Sequence, residues 1–173
     1  MKETRMKKPL VAILMGSDSD LEVMNEGAGI LRDFGISYEM KVLSAHRSPE
    51  LVSRFVKQAK SRGFKIFICG AGGAAHLAGA VAAQSTLPVI GVPVNSSALG
   101  GLDALLATVQ MPAGTPVATV AIGKSGARNA ALLACQILAL GDKVLQKKFE
   151  KFKKNLVAGI VKKNHQLAKQ IQS

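Results

Sequence analysis

The sequence predicts a three-layer α/β/α sandwich built on a parallel sheet. Three observations carry this expectation. Short apolar runs alternate with helical patterns along most of the chain. No hairpin signal joins consecutive runs, so the strands need crossover connections and pair in parallel. The runs are continuously apolar rather than alternating, as strands are when helices cover both faces of a sheet.

Each element has its own signal. LVAILMG (10–16) reads as a buried strand. Residues 20–34 read as a helix, acidic near its start, with Gly35 just past its end. YEMKVL (38–43) reads as a second strand. Residues 48–62 read as a helix with Ser48 as N-cap, Pro49 at the first helical position and Gly63 after the last. KIFICG (65–70) is a third strand, followed by a glycine-rich turn and an alanine-rich segment over 74–85. PVIGVP (88–93) is a fourth strand, 101–109 a short helix and PVATVAI (116–122) a fifth strand. An Ala/Leu-rich helix (126–140) and a basic tail helix (about 142–170) complete the chain. Together they predict a flavodoxin-like fold in a single domain over 1–173, its core spanning about 9–145.

Length and composition narrow the class. A chain of 173 residues suits one core. An apolar content of 48% is high for a small monomer and predicts burial against other subunits. The helix GARNAALLACQILAL is apolar around most of its circumference and carries the same expectation. No run reaches the roughly 18 apolar residues of a spanning helix. The basic N-terminus leads through LVAILMG into GSDSD without a small-residue cleavage site, so a strand is expected there, not a signal peptide. A cytoplasmic protein without membrane contact follows as the expectation. Cys69 and Cys135 sit in apolar segments without metal-ligand spacing and read as buried, reduced thiols.

Net charge is +12, unevenly placed. From Asp142 onward there are nine Lys and two acidic residues, a net of +7. A basic chain invites a nucleic-acid partner, but there is no Trp, a single Tyr and no recognisable reading motif. The expectation is a tail helix with a solvated basic face. A positive field that attracts anionic substrates is the alternative.

Ligands of open parallel sheets bind beyond the carboxyl ends of the strands. Three polar or glycine-rich loops follow the first three strands: Gly16-Ser17-Asp18-Ser19-Asp20, Ser44-Ala45-His46-Arg47-Ser48-Pro49 and Gly70-Ala71-Gly72-Gly73-Ala74-Ala75-His76. GSDSD enters a helix, whose free N–H groups attract anions, with Ser17 and Ser19 as supplementary donors. Asp18 or Asp20 either caps that helix or binds hydroxyls such as a ribose diol. Arg47 suits a phosphate in bidentate fashion. His46 is either a surface histidine beside an ion-paired arginine or a general acid/base. The glycines allow close backbone approach to a flat ligand, or simply make a tight turn. His76 begins the next helix as a packed, capping or catalytic residue, whereas His165 is expected on the surface. Ser96-Ser97 and Gly100-Gly101 mark a flexible loop that either closes over a ligand or merely connects. No P-loop, nucleophile elbow or pair of catalytic carboxylates can be identified.

At these residues the sequence resembles the PurE family. MGSDSD (15–20), SAHRSP (44–49), GAGGAAHLAG (70–79), GVPV (91–94), VQMPAGTPVATVAIG (109–123) and GARNAALLACQIL (126–138) match it in order and at its spacing, over about residues 9–145. The loop GAGGAAH is similar to that of the class acting as N5-carboxyaminoimidazole ribonucleotide mutase. The other class, which carboxylates aminoimidazole ribonucleotide directly with CO2, tends to a Ser/Asn-containing loop.

The resemblance implies a homo-octamer with sites at subunit contacts, a small-molecule ribonucleotide substrate, and neither metal nor organic cofactor. It implies that Ser17 and the backbone of Ala71 and Gly72 hold the migrating carboxylate, and that Asp20 binds ribose. Ser19, Ser44 and Arg47 would hold the phosphate, and His46 would shuttle the proton. Gly73, His76 and Leu77 are of second rank. The sequence departs from the family's His-Leu-Pro-Gly-Met, reading His76-Leu77-Ala78-Gly79-Ala80. That change would loosen the loop or alter its packing without removing an acid/base group. The rivals are a direct carboxylase of the same fold and a non-catalytic nucleotide- or nucleic-acid-binding module.

Overall fold

The computed structural model describes residues 8–171. They form two compact units that divide between Ala134 and Cys135. The first holds β1 (Val11–Met15), a 3-10 turn (Asp18–Asp20), α1 (Leu21–Phe34), β2 (Tyr38–Val42), α2 (Pro49–Arg62) and β3 (Ile66–Gly72). It continues with α3 (Leu77–Ala82), β4 (Val89–Val94), α4 (Leu102–Val109), β5 (Ala118–Thr119) and most of α5 (Gly123–Ala139). The sheet order is β2-β1-β3-β4-β5, and all four pairings are parallel.

Strand side chains alternate between faces, and here each face meets helices. Ala12, Leu14, Phe67, Cys69 and Val89 join one cluster with Val52, Phe55 and Val56 of α2 and Leu77, Ala78 and Val81 of α3. On the opposite face Gly70 leaves room for α1, since a Cβ there would lie 2.3 Å from Met24 Sδ. Gly35 (φ 74°) and Gly63 (φ 101°) end α1 and α2 in the left-handed conformation that glycine adopts without a Cβ penalty.

Several elements differ in extent from the sequence expectation. The fifth strand pairs over two residues instead of seven, because it is an edge with no strand beyond it and Pro116 has no N–H to donate. The second strand is the other edge and half-exposed, with Glu39 and Lys41 among its five residues, so it is not a fully buried apolar run. The third runs two residues further, to Gly72. The alanine-rich segment forms a helix of only six residues, and α5 starts at Gly123 rather than 126.

Within the first unit α1 and the start of α5 are in close contact. A Cβ on Gly27 would lie 2.7 Å from the Ala127 carbonyl oxygen. Arg128 donates to Glu26 at 2.6 and 2.8 Å, and Lys124 pairs with Glu22. Small residues bury this stretch of α5, whereas Leu132 and Leu133 remain half-buried.

The second unit comprises the end of α5 and α6 (Lys143–Ile171). Asp142 Oδ1 accepts the N–H groups of Val144 and Leu145, which starts α6. The lysines and His165 are solvated as expected, but so are Leu156, Val157, Ile160 and Leu167. Cys69 and Cys135 are buried and free. Burial pushes both thiols up, Cys135 to about 12, so neither is a ready nucleophile.

Gly27→Ala must push backbone from backbone, with no flexible side chain to yield. The expected destabilisation is about 1–3 kcal/mol, read from the midpoint of denaturant unfolding. An unchanged midpoint would contradict the close approach of α1 and α5.

Candidate active site

Sheet order reverses between β1 and β3, the point where open α/β sheets accept ligands. The two strands stay paired to Met15↔Gly70, and Gly16 N–H still reaches Gly70 O at 3.0 Å. There they part. The chain after β1 enters the 3-10 turn, while β3 runs on to Gly72 paired with β4 alone (Ala71↔Pro93, Gly72↔Val94). A cavity of about 440 Å3 opens in this split. Its wall takes Gly16, Ser17, Ser19 and Asp20 from behind β1 and Ser44 to Arg47 from behind β2. Behind β3 it takes Ala71, Gly72, Ala74, His76 and Leu77, and Ser96 comes from behind β4.

Each loop is braced locally. Ser17 and Asp20 form a reciprocal capping box: Ser19 N–H donates to Ser17 Oγ (3.3 Å), and Ser17 N–H donates to Asp20 Oδ2 (3.1 Å). Asp18 Oδ1 accepts from Ser17 Oγ and Ser19 N–H, both at 3.1 Å. Both aspartates therefore brace the turn. Asp20 is only 2% exposed. Burial raises its pKa above the ordinary 3.8, against the lowering pull of the Ser17 and Gly16 N–H groups and the Arg47 charge.

The second loop closes on itself. Ser48 occupies the N-cap position of α2, but its hydroxyl does not cap the helix. It donates back to Ser44 O (3.0 Å) and accepts Ser44 N–H (3.1 Å), while Arg47 N–H donates to Ser44 Oγ (3.1 Å). This turn presents His46 and Arg47 at its apex. Among the described residues Arg47 has no carboxylate ion-pair partner. Its guanidinium donates to Gly16 O at 3.1 Å.

His46 and His76 meet across the cavity, Nε2 to Nδ1 at 2.8 Å, with ring planes at 80°. One ring donates and the other accepts, so two imidazolium ions cannot share this bond. His76 occupies the N-cap position of α3, and its own carbonyl accepts Ala80 N–H at 2.9 Å. That helix start forms without the family's proline, and Ala78 is buried beside Gly91.

Ten of the eleven residues singled out in the sequence thus line one cavity. Gly73 does not; it makes the turn out of β3 at φ +59°. Leu77 lines the cavity but is 2% exposed and belongs to the core. Ser96, in the sequence part of a loop that either closes over a ligand or merely connects, lies on the cavity wall two residues past the end of β4. Among the described residues no group of three His, Cys, Asp or Glu side chains has the arrangement of a metal site.

The model of the AIR carboxylase family matches residues 10–158. The chain belongs to the AIR carboxylase (PurE) family. It is 51% identical over 160 residues to the Bacillus subtilis N5-carboxyaminoimidazole ribonucleotide mutase, covering 92% of this chain and 99% of that one. It is 51% identical over 163 residues to the Pyrococcus horikoshii protein of the same name, covering 94% and 91%. The crystal structure of Treponema denticola PurE superposes with a TM-score of 0.81 at 32% identity, over 89% of this chain and 95% of that one. That structure and this chain thus share one fold.

Asp20 has a testable electrostatic signature. With the folded pKa raised, the native state takes up a proton before the unfolded chain does. The protein therefore gains stability as pH falls from the raised folded value towards the unfolded one. Relative to Asp20→Asn, which cannot titrate, the wild type should gain stability on acidification through that window. Unfolding free energies of both proteins against pH measure this, and a difference that stays flat would contradict it.

Proposed function

We propose that this chain is an N5-carboxyaminoimidazole ribonucleotide mutase of purine biosynthesis, acting in the cytoplasm as a homo-octamer. The observation that carries the proposal is the convergence of GSDSD, SAHRSP and GAGGAAH on one cavity, with His46 on its wall bonded to His76. In this scheme Ser19, Ser44 and Arg47 take the phosphate. Asp20 takes the ribose hydroxyls while its Oδ2 braces the turn. Ser17 and the Ala71–Gly72 backbone take the migrating carboxylate.

The reaction is an internal transfer. The bond from the exocyclic nitrogen to the carboxyl carbon breaks and releases CO2 within the site. Ring carbon C4, now electron-rich, attacks that CO2. The C4 proton passes to His46, which returns it to the exocyclic nitrogen. Atoms and electrons balance without ATP, metal or an organic cofactor. Confinement raises the effective concentration of CO2 beside C4. A positioned proton carrier contributes about 10²–10⁴-fold. His76 holds the His46 ring in one orientation and fixes which nitrogen is engaged.

Exposed Leu102, Leu106 and Val109 recur at helical spacing along α4, with exposed Leu99 in the turn before it, and support the assembly of several chains. No described helix is long and apolar enough to cross a membrane.

The deciding experiment is turnover of the carbamate substrate without ATP or added metal. Wild type should convert it, and His46→Asn should bind ligand but turn over about 10²–10⁴-fold more slowly. Retention of most activity would remove His46 from its role. His76→Ala should cause a smaller loss of kcat and displace the pH–rate profile; an unchanged profile would mean that His76 merely packs. If aminoimidazole ribonucleotide with CO2 were turned over far better than the carbamate, the direct carboxylase would replace the mutase. Light scattering should give eight chains per particle, and a monomer would contradict the octamer.

A further inference from the structure

The loop after β4 adds a group to the cavity that the proposed mechanism does not use. Ser96 lies on the cavity wall, and among the described residues its hydroxyl has no protein partner. It stands directly over Gly72: a Cβ on that glycine would fall 1.7 Å from Ser96 Oγ and 3.1 Å from Val94 O. Gly72 therefore has no side chain because the serine occupies its place.

The loop holding Ser96 is pinned rather than free. Ser97 Oγ donates to Asp103 Oδ1 at 2.8 Å, and Gly100 N–H donates to Ser97 O at 3.1 Å. A Cβ at Gly101 would lie 3.2 Å from Asn95 Cα, so the two ends of the loop touch. The backbone that carries Ser96 is thus held in position before any ligand arrives.

Strand order says which end of a ligand it meets. Arg47 follows β2 and Ser96 follows β4, with β1 and β3 between them. Three inter-strand spacings separate their strands, about 14 Å. A ribonucleotide whose phosphate lies at Arg47 extends its base towards Ser96. There the tip of β3 has lost its β1 neighbour, and a neutral donor beside its backbone suits a planar carboxylate.

We infer that Ser96 is a substrate-contacting residue that donates its hydroxyl to the migrating carboxyl group beside Gly72, and so selects carboxylated over uncarboxylated ribonucleotide. This rests on the mutase assignment above. The test is calorimetric binding of 4-carboxy-5-aminoimidazole ribonucleotide and of 5-aminoimidazole ribonucleotide to wild type, Ser96→Ala and Ser96→Thr. Ser96→Ala should weaken the carboxylated ligand about tenfold and leave the other unchanged, and Ser96→Thr should restore the difference. Equal weakening of both ligands, or of neither, overturns the inference while leaving the mutase assignment standing. Failure of the wild type to bind either ribonucleotide overturns both.

Discussion

The parting of β1 from β3 after Gly70 is the constraint on which the site depends. A parallel sheet sends every strand's carboxyl end to one edge, so the loops there are neighbours whatever their separation in sequence. Neighbouring loops alone do not make a cavity. One appears here because β1 stops pairing at Met15 while β3 continues against β4 to Gly72. The buried strands beneath hold the two edges of that split in fixed positions.

The loops around the split use their polar side chains first on themselves. Asp20, Ser17, Ser44 and Ser48 brace turns before they meet any ligand. Such bracing is preorganisation: donors are already oriented and little ordering remains to be done on binding. Asp20 carries a cost for this, since a buried carboxylate is held with only partial compensation from backbone N–H groups and Arg47. The same economy explains the histidine pair, where each ring is the other's hydrogen-bond partner.

Much of this was legible in the sequence because hydrophobic period and helix-stop glycines are local signals. The buried strands, Gly35 and Gly63 follow from them directly, and the three loops follow from where those strands end. The rest was not local. PVATVAI resembles a central strand in composition and gave no warning of its two-residue pairing, whereas YEMKVL carries Glu39 and Lys41 at alternate positions, the mark of its exposed edge. Ser48 sits where an N-cap belongs, yet its hydroxyl turns back to Ser44 because the loop before it curls tightly. The His46–His76 bond joins residues thirty positions apart, and nothing in either segment names the other. Ser96 was hidden for the same reason: its meaning lies in the missing side chain of Gly72 on the neighbouring strand.

The central claim is that this strand-end cavity keeps CO2 between the nitrogen it leaves and the carbon it joins. Carboxyl retention measures that directly. In a single turnover of substrate labelled with ¹³C in its carbamate, in unlabelled bicarbonate buffer, the label should appear in the C4 carboxyl group of the product. Loss of the label to the buffer pool, with unlabelled carboxyl in the product, would contradict the account.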